Sequence, residues 1–239
     1  MTSLIIFDCD GTLVDTELLY NTVISDMLLE QGYREFTPAA CLERFTGLTL
    51  SAIRRQVELE KSVDLSAIMT SELYVARAQA QMDQGIAAIA GADILIETAL
   101  AQGFEICIGS NGERSSVIKS LKLAGLYDYF GGTESRIFTK IQVENAKPAP
   151  DLFLFAAAQM TALMGMGAAP PKTVIVIEDS VAGVQAGVAA NMRVWGYTGS
   201  HHDPEAHKIT LLENGAERCF SSLIHISDEL QGKKEFCSA

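Results

Sequence analysis

Four short apolar runs set the terms for this chain: LIIF at 4–7, FEICIG at 104–109, TVIVI at 173–177 and MRVWGY at 192–197. Their apolar and β-branched residues run almost without interruption instead of alternating with polar ones, the pattern of strands covered on both faces. Helical spacing fills 91–102, 113–124, 150–164 and 180–190. Strands alternating with helices predict an α/β fold built on a doubly wound parallel sheet. RIFTK at 136–140 and Cys219-Phe220 read as weaker strands. Ligands of such a sheet bind beyond the carboxyl ends of its strands.

Strand character is missing from one long stretch. After a helix N-cap at Asp15 or Thr16, helical patterns follow at 17–31, 38–45, 49–60 and 65–83, with breaks at Gly32, Pro38, Gly47 and Gly85. The predicted organisation is an α/β core domain, residues 1–15 and 88–239, interrupted by a helical domain at 16–87.

Chemistry-bearing residues fall at the strand ends. Asp8 and Asp10 follow the first run, Ser110 and Asn111 the second, and Glu178 and Asp179 the third. Lys147 precedes Pro-Ala-Pro-Asp, whose prolines restrict the loop that carries its amine. Four carboxylates share a small space only if a cation offsets their repulsion. Oxygen ligands without clustered His or Cys suit Mg²⁺ and disfavour zinc. A carboxylate with an ordinary pKa of about 3.9 is ionised at neutral pH and can attack phosphorus without an activating base. A second Asp two residues away can exchange a proton with the leaving oxygen and with water. Ser110 and Asn111 can hold phosphoryl oxygens, and Lys147 can neutralise charge.

Composition removes several classes of partner. With 30 acidic against 18 basic residues and a formal charge of −12, the 239-residue chain is a poor match for nucleic acid or an anionic membrane surface. No apolar run reaches the roughly 20 residues needed to span a bilayer. Cys9, Cys41, Cys107, Cys219 and Cys237 form no metal spacing or CxxC pair, which fits free thiols in a reducing compartment. A cytoplasmic protein acting as a monomer on a small phosphorylated metabolite is expected.

In their order, DCDGT at 8–12, Ser110, Lys147 and Glu178-Asp179 resemble the four motifs of the haloacid dehalogenase superfamily. The resemblance implies a Rossmann-like core in which Asp8 becomes an aspartyl phosphate and Asp10 is the general acid/base. It implies Mg²⁺ held by Asp8, the main-chain carbonyl of Asp10 and Asp179, with Glu178 a direct ligand or a supporting group. The helical insert resembles the family's small mobile cap. FDCDGTLVDTE, RFTGLTL, SNG, KPAPDLF and EDSVAGVQAG are most similar to the β-phosphoglucomutase-like sugar-phosphate phosphatases. In that subgroup the mutase carries an Arg just after the Gly47-Leu48-Thr49 segment to grip a second phosphate, where this chain has Leu50; Asn111, Gly112 and Glu113 also depart from its distal-phosphate residues. Hydrolysis is therefore favoured over isomerisation, with small polar phosphates such as 6-phosphogluconate or 2-deoxyglucose 6-phosphate as the substrate class.

Further residues compete for attention. Gly47, Leu48, Thr49 and Arg54 are candidate substrate contacts in the insert, although Arg54 and Arg55 also suit a salt-bridged helix face. His201 and His202, in GSHHDPEAH, read as loop residues in preference to metal ligands. Gly183 and Gly187 read as packing glycines, Ser180 as a helix N-cap, and Met164 and Met166 as core and turn filler. A dehalogenase lacks the paired second Asp, and a phosphonatase would need a cap lysine where the insert offers only Lys61.

Overall fold

A computed structural model describes residues 4–46, 48, 50–165 and 170–232. The chain divides into two compact units, Met1–Val14 with Ala87–Ala239, and Asp15–Ile86.

The larger unit is built on β1 (Leu4–Phe7), β2 (Glu105–Ser110), β3 (Ile137–Thr139), β4 (Val174–Glu178), β5 (Arg193–Tyr197) and β6 (Arg218–Phe220). They form one parallel sheet in the order β3-β2-β1-β4-β5-β6. β1 is central, with Ile6 opposite Cys107 of β2 and Val176 of β4, and all four of its residues are buried. Helices α7 (Asp151–Leu163) and α8 (Val181–Ala189) pack Phe153, Ala156 and Val184 with Leu4, Ile6 and Val176. On Phe7 the ring of Phe130 stands edge-on, centroids 6.4 Å apart. After β1 the chain builds β2 and β3 on one side and then crosses back to build β4, β5 and β6 on the other, so the sheet order reverses at β1 and the carboxyl ends of β2, β1 and β4 flank the switch point. α5 (Ala92–Ala101) and α6 (Arg114–Leu123) complete the first half of this unit; α9 (Pro204–Glu213) and α10 (Leu223–Leu230) complete the second.

The smaller unit consists of α1 (Thr16–Leu29), α2 (Pro38–Phe45), α3 (Leu50–Lys61) and α4 (Ser71–Asp83). Asp15 caps α1 by accepting from Leu18 N–H, and Thr37 caps α2 ahead of Pro38, which fits the first helical turn. Phe36 and Phe45 stack with centroids 6.0 Å apart inside its core. Arg77 binds Glu30 through two 2.7 Å hydrogen bonds.

Two sequence expectations are corrected, and two helices add to them. The helix expected over 65–83 starts at Ser71, because Leu65–Met69 is a turn that buries its two apolar ends and Thr70 accepts from Leu73 N–H at 3.2 Å. The strand expected over 136–140 keeps only Ile137–Thr139, flanked by 3-10 turns. Helices α9 and α10 were not expected; Asp203 and Ser222 cap them. Cys9, Cys41, Cys107 and Cys219 are free, and Cys237 and Met166 lie outside the described residues. No described helix is long and apolar enough to cross a membrane.

Candidate active site

Each acid sits where the backbone puts it. Asp8 N–H continues the ladder by donating to the Ile177 carbonyl at 2.9 Å, so its side chain leaves at the carboxyl edge of the sheet. The chain then turns at once: Leu13 and Val14 both donate to the Cys9 carbonyl, and Gly11 to that of Val14, all at 3.0 Å. Gly11 has a φ of +80°, and a Cβ there would stand 2.4 Å from Asp179 Oδ2. Only glycine lets the turn pass that carboxylate.

Asp179 accepts from Thr12 Oγ1 at 2.9 Å. Its neighbour Glu178 is fully buried, with Oε2 accepting from both Ser180 N–H and Ser180 Oγ at 2.9 Å. Ser180 Oγ in turn accepts from Gly183 N–H at 3.0 Å and caps α8. A Cβ on Gly183 would fall 1.8 Å from the Glu178 carboxyl, so this glycine makes room for an acid, whereas Gly187 faces Val194 and packs the helix on the sheet.

Lys147 Nζ donates to Asp8 Oδ1 and Glu178 Oε1, both at 2.6 Å, and lies 4.7 Å from the centre of the Phe153 ring. Asn111 holds the loop that delivers it: its amide nitrogen donates to the Lys147 carbonyl and its oxygen accepts from Lys147 N–H, each at 3.1 Å. Ser110 Oγ accepts from Gly112 N–H at 2.9 Å and donates to Asp10 Oδ2 at 3.4 Å.

Burial pushes the Asp8 carboxyl well above the usual carboxylate range; Lys147 opposes this, while Glu178, Asp179 and Asp10 reinforce it. Burial also raises Asp10, to about 6, with Asp179 adding to the effect and Ser110 and Lys147 opposing it. For Lys147, burial works against the charge, but Asp8 and Glu178 outweigh it and hold the ammonium above the ordinary lysine range. The Cys9 thiol is pushed well up by burial and by the flanking Asp10 and Asp8, which keeps it a thiol and no nucleophile.

One carboxylate oxygen each from Asp8, Glu178 and Asp179 lie within 4.8 Å of one another. Three buried acids around a single ammonium leave excess negative charge, and an all-oxygen donor set suits a hard cation. The Haloacid dehalogenase-like hydrolase family model matches residues 5–197, which include all of these groups. The chain belongs to the haloacid dehalogenase-like hydrolases.

Relatives within this family include the 6-phosphogluconate phosphatase of Escherichia coli, 31% identical over 86% of this chain and 88% of the relative. A probable pseudouridine-5'-phosphatase of Drosophila melanogaster is 31% identical over 79% of this chain and 78% of its own length. Among solved structures, a haloacid dehalogenase family hydrolase from Deinococcus radiodurans, which holds bound phosphate and sodium, is 28% identical with a TM-score of 0.78; the match covers 97% of this chain and 96% of that one.

In this haloacid dehalogenase-like chain, Asp8, Asp10, Ser110, Lys147, Glu178 and Asp179 come together, and Asn111 spends its amide on the Lys147 backbone. Leu48 is exposed, and Arg54 Nε lies 3.7 Å from Glu58 one turn further along α3. Gly47 and Thr49 lie outside the described residues. Sequence reasoning missed Thr12, Ser200 and His207, and it set His201 aside as a loop residue although its Nε2 stands 3.7 Å from Asp179 Oδ2. His207 Nε2 is 2.5 Å from the Asp179 carbonyl, and burial holds its pKa below the usual histidine value. The signal was present in Asp203-Pro204, a helix start that puts His207 in the first turn of α9.

Proposed function

We propose that this chain is a phosphoric monoester hydrolase of a small polar phosphate, in the class of sugar or sugar-acid phosphates such as 6-phosphogluconate, working through an aspartyl phosphate on Asp8. The observation that carries the reading is the Lys147 bridge between Asp8 and Glu178 beside Asp179. It is supported by the relatives that act as phosphatases and by phosphate bound in the Deinococcus relative.

The donor set fits a divalent cation: three carboxylates converge, all ligands are oxygen, and Gly11 leaves the space beside Asp179 open. Asp8 and Asp179 would hold Mg²⁺, with the Asp10 main-chain carbonyl as the family resemblance implies; Glu178 already spends both oxygens on Lys147 and Ser180. When bound, the cation offsets carboxylate repulsion and charge on the phosphoryl oxygens.

Lys147 holds Asp8 in one orientation and favours its anion. A carboxylate oxygen of Asp8 attacks phosphorus, forming the acyl phosphate as the ester P–O bond breaks. Asp10, whose pKa of about 6 leaves a usable protonated fraction near neutrality, gives its proton to the departing oxygen. The Asp10 carboxylate then takes a proton from water as that oxygen attacks phosphorus; the bond to Asp8 breaks and inorganic phosphate leaves. Ser110 Oγ lies beside Asp10, and on the family resemblance it holds a phosphoryl oxygen during this exchange. Residues 16–87 are assigned the substrate-selecting role of the family's cap, with Gly47, Leu48, Thr49 and Arg54 as its contacts, on the resemblance.

The test is Mg²⁺-dependent phosphate release over 6-phosphogluconate, hexose phosphates, phosphoglycolate and nucleotides. Release of phosphate from at least one sugar phosphate, abolished in Asp8→Asn, is expected. Isomer formation from a hexose 1-phosphate without phosphate release, or full activity in Asp8→Asn, would overturn the reading.

A further inference from the structure

The loop between β5 and α9, together with the first turn of α9, grips the acid cluster through contacts that the reaction steps leave unused. Ser200 Oγ donates to the Gly11 carbonyl at 2.7 Å, from a position 189 residues away in the chain. His207 Nε2 meets the Asp179 carbonyl at 2.5 Å; a carbonyl only accepts, so this nitrogen carries the proton. His201 Nε2 faces Asp179 Oδ2 at 3.7 Å and, among the described residues, has no hydrogen-bond partner despite being buried. The two imidazoles stack with centroids 3.4 Å apart and planes 18° from parallel. His207 is fixed in turn by α9, whose first turn is capped by Asp203 and carries Pro204. Asp179 Oδ1 already accepts from Thr12, so His201 faces the other oxygen of the carboxylate.

We propose that the stacked His201–His207 pair positions Asp179: His207 anchors its main chain, and His201 offers an N–H toward Oδ2, so that the carboxylate is presented to a divalent cation in one orientation. This rests on the reading of Asp8 and Asp179 as cation ligands. Neither imidazole is a ligand or a proton carrier in this scheme. Groups that orient metal-bound carboxylates typically set metal affinity by about 10- to 100-fold, without touching the ion.

The test is titration calorimetry of Mg²⁺ into the full chain, with the thermal midpoint in EDTA measured alongside. His201→Phe keeps a stacked ring and removes the N–H; His201→Asn, a smaller polar side chain too short to reach Oδ2, is read by the same criterion should the Phe variant fail to fold. The expected result is a Mg²⁺ Kd raised about 10- to 100-fold with the midpoint in EDTA unchanged. His202→Ala, at an exposed neighbour, is expected to bind as the wild type does. A His201 variant that binds Mg²⁺ within two-fold of wild type overturns the positioning role alone. Folded wild-type protein that binds no Mg²⁺ overturns this inference together with the cation reading beneath it.

Discussion

Lys147 Nζ and Asp8 Oδ1 stand 2.6 Å apart with side chains 2% and 9% exposed. This is a buried ion pair, and Glu178 extends it to a triad. Removing the cation leaves two facing acids without water to screen them, and breaking a buried pair from one side costs about 3–5 kcal/mol. Lys147→Ala is therefore expected to lose about that much stability in urea denaturation and to lose turnover. A variant of wild-type stability would show that water already reaches the triad.

Asp10 gives a pH dependence whose sign follows from its surroundings. Its folded pKa of about 6 exceeds the ordinary 3.8, so the folded state holds this proton more tightly than the unfolded one. Stability contributed by that proton is present below about pH 4 and is lost as pH rises through about 6. Asp10→Asn removes the loss. In chelator the variant is expected to match wild type near pH 4 and to exceed it by roughly 1–3 kcal/mol at pH 7, since each pKa unit is worth about 1.4 kcal/mol. Its turnover is expected to fall by about 10²- to 10⁴-fold. A stability difference that does not change with pH would refute the assignment.

What was legible in the sequence was local. Asp8, Asp10, Ser110, Glu178 and Asp179 each close an apolar run, so finding the strand ends finds the acids, and the parallel order follows from helices between those runs. What stayed hidden depends on separations no window spans. Asn111 binds the backbone of Lys147, 36 residues on, a pairing that no local pattern announces. His207 meets Asp179 across 28 residues, through a loop whose position is fixed only once β5 pairs with β4. In the smaller unit, buried Leu65 and Met69 mimic a helical stripe from inside a turn, where backbone geometry overrides periodicity.

Gly183 separates packing from chemistry. A methyl there would overlap the Glu178 carboxyl at 1.8 Å, displacing the acid that shares Lys147 with Asp8. At Gly187 the same methyl would meet a Val194 methyl at 2.6 Å, away from the acids. Both alanine variants are expected to lose about 1–3 kcal/mol through overpacking. Only Gly183→Ala is expected to lose activity beyond its loss of folded protein. Equal specific activity of the two folded variants would detach Glu178 from the reaction.

Removing Mg²⁺ is expected to act on stability through Asp8 and Asp179, the acids assigned to hold it. Without it, Asp8 stays raised by burial and by Glu178, Asp179 and Asp10. Mg²⁺ that binds the folded chain alone adds about 2.7 kcal/mol at a hundred times its Kd. In a chain of this size each kcal/mol moves the thermal midpoint by about 2–4 °C, so the midpoint is expected to rise by roughly 5–10 °C on going from EDTA to saturating Mg²⁺. Asp179→Asn keeps an acceptor for Thr12 but removes one ligand charge, and its response is expected to be small. If wild type and Asp179→Asn rose equally, the cation would be binding away from the crevice, and the charge surplus there would have to be met by protonating an acid instead.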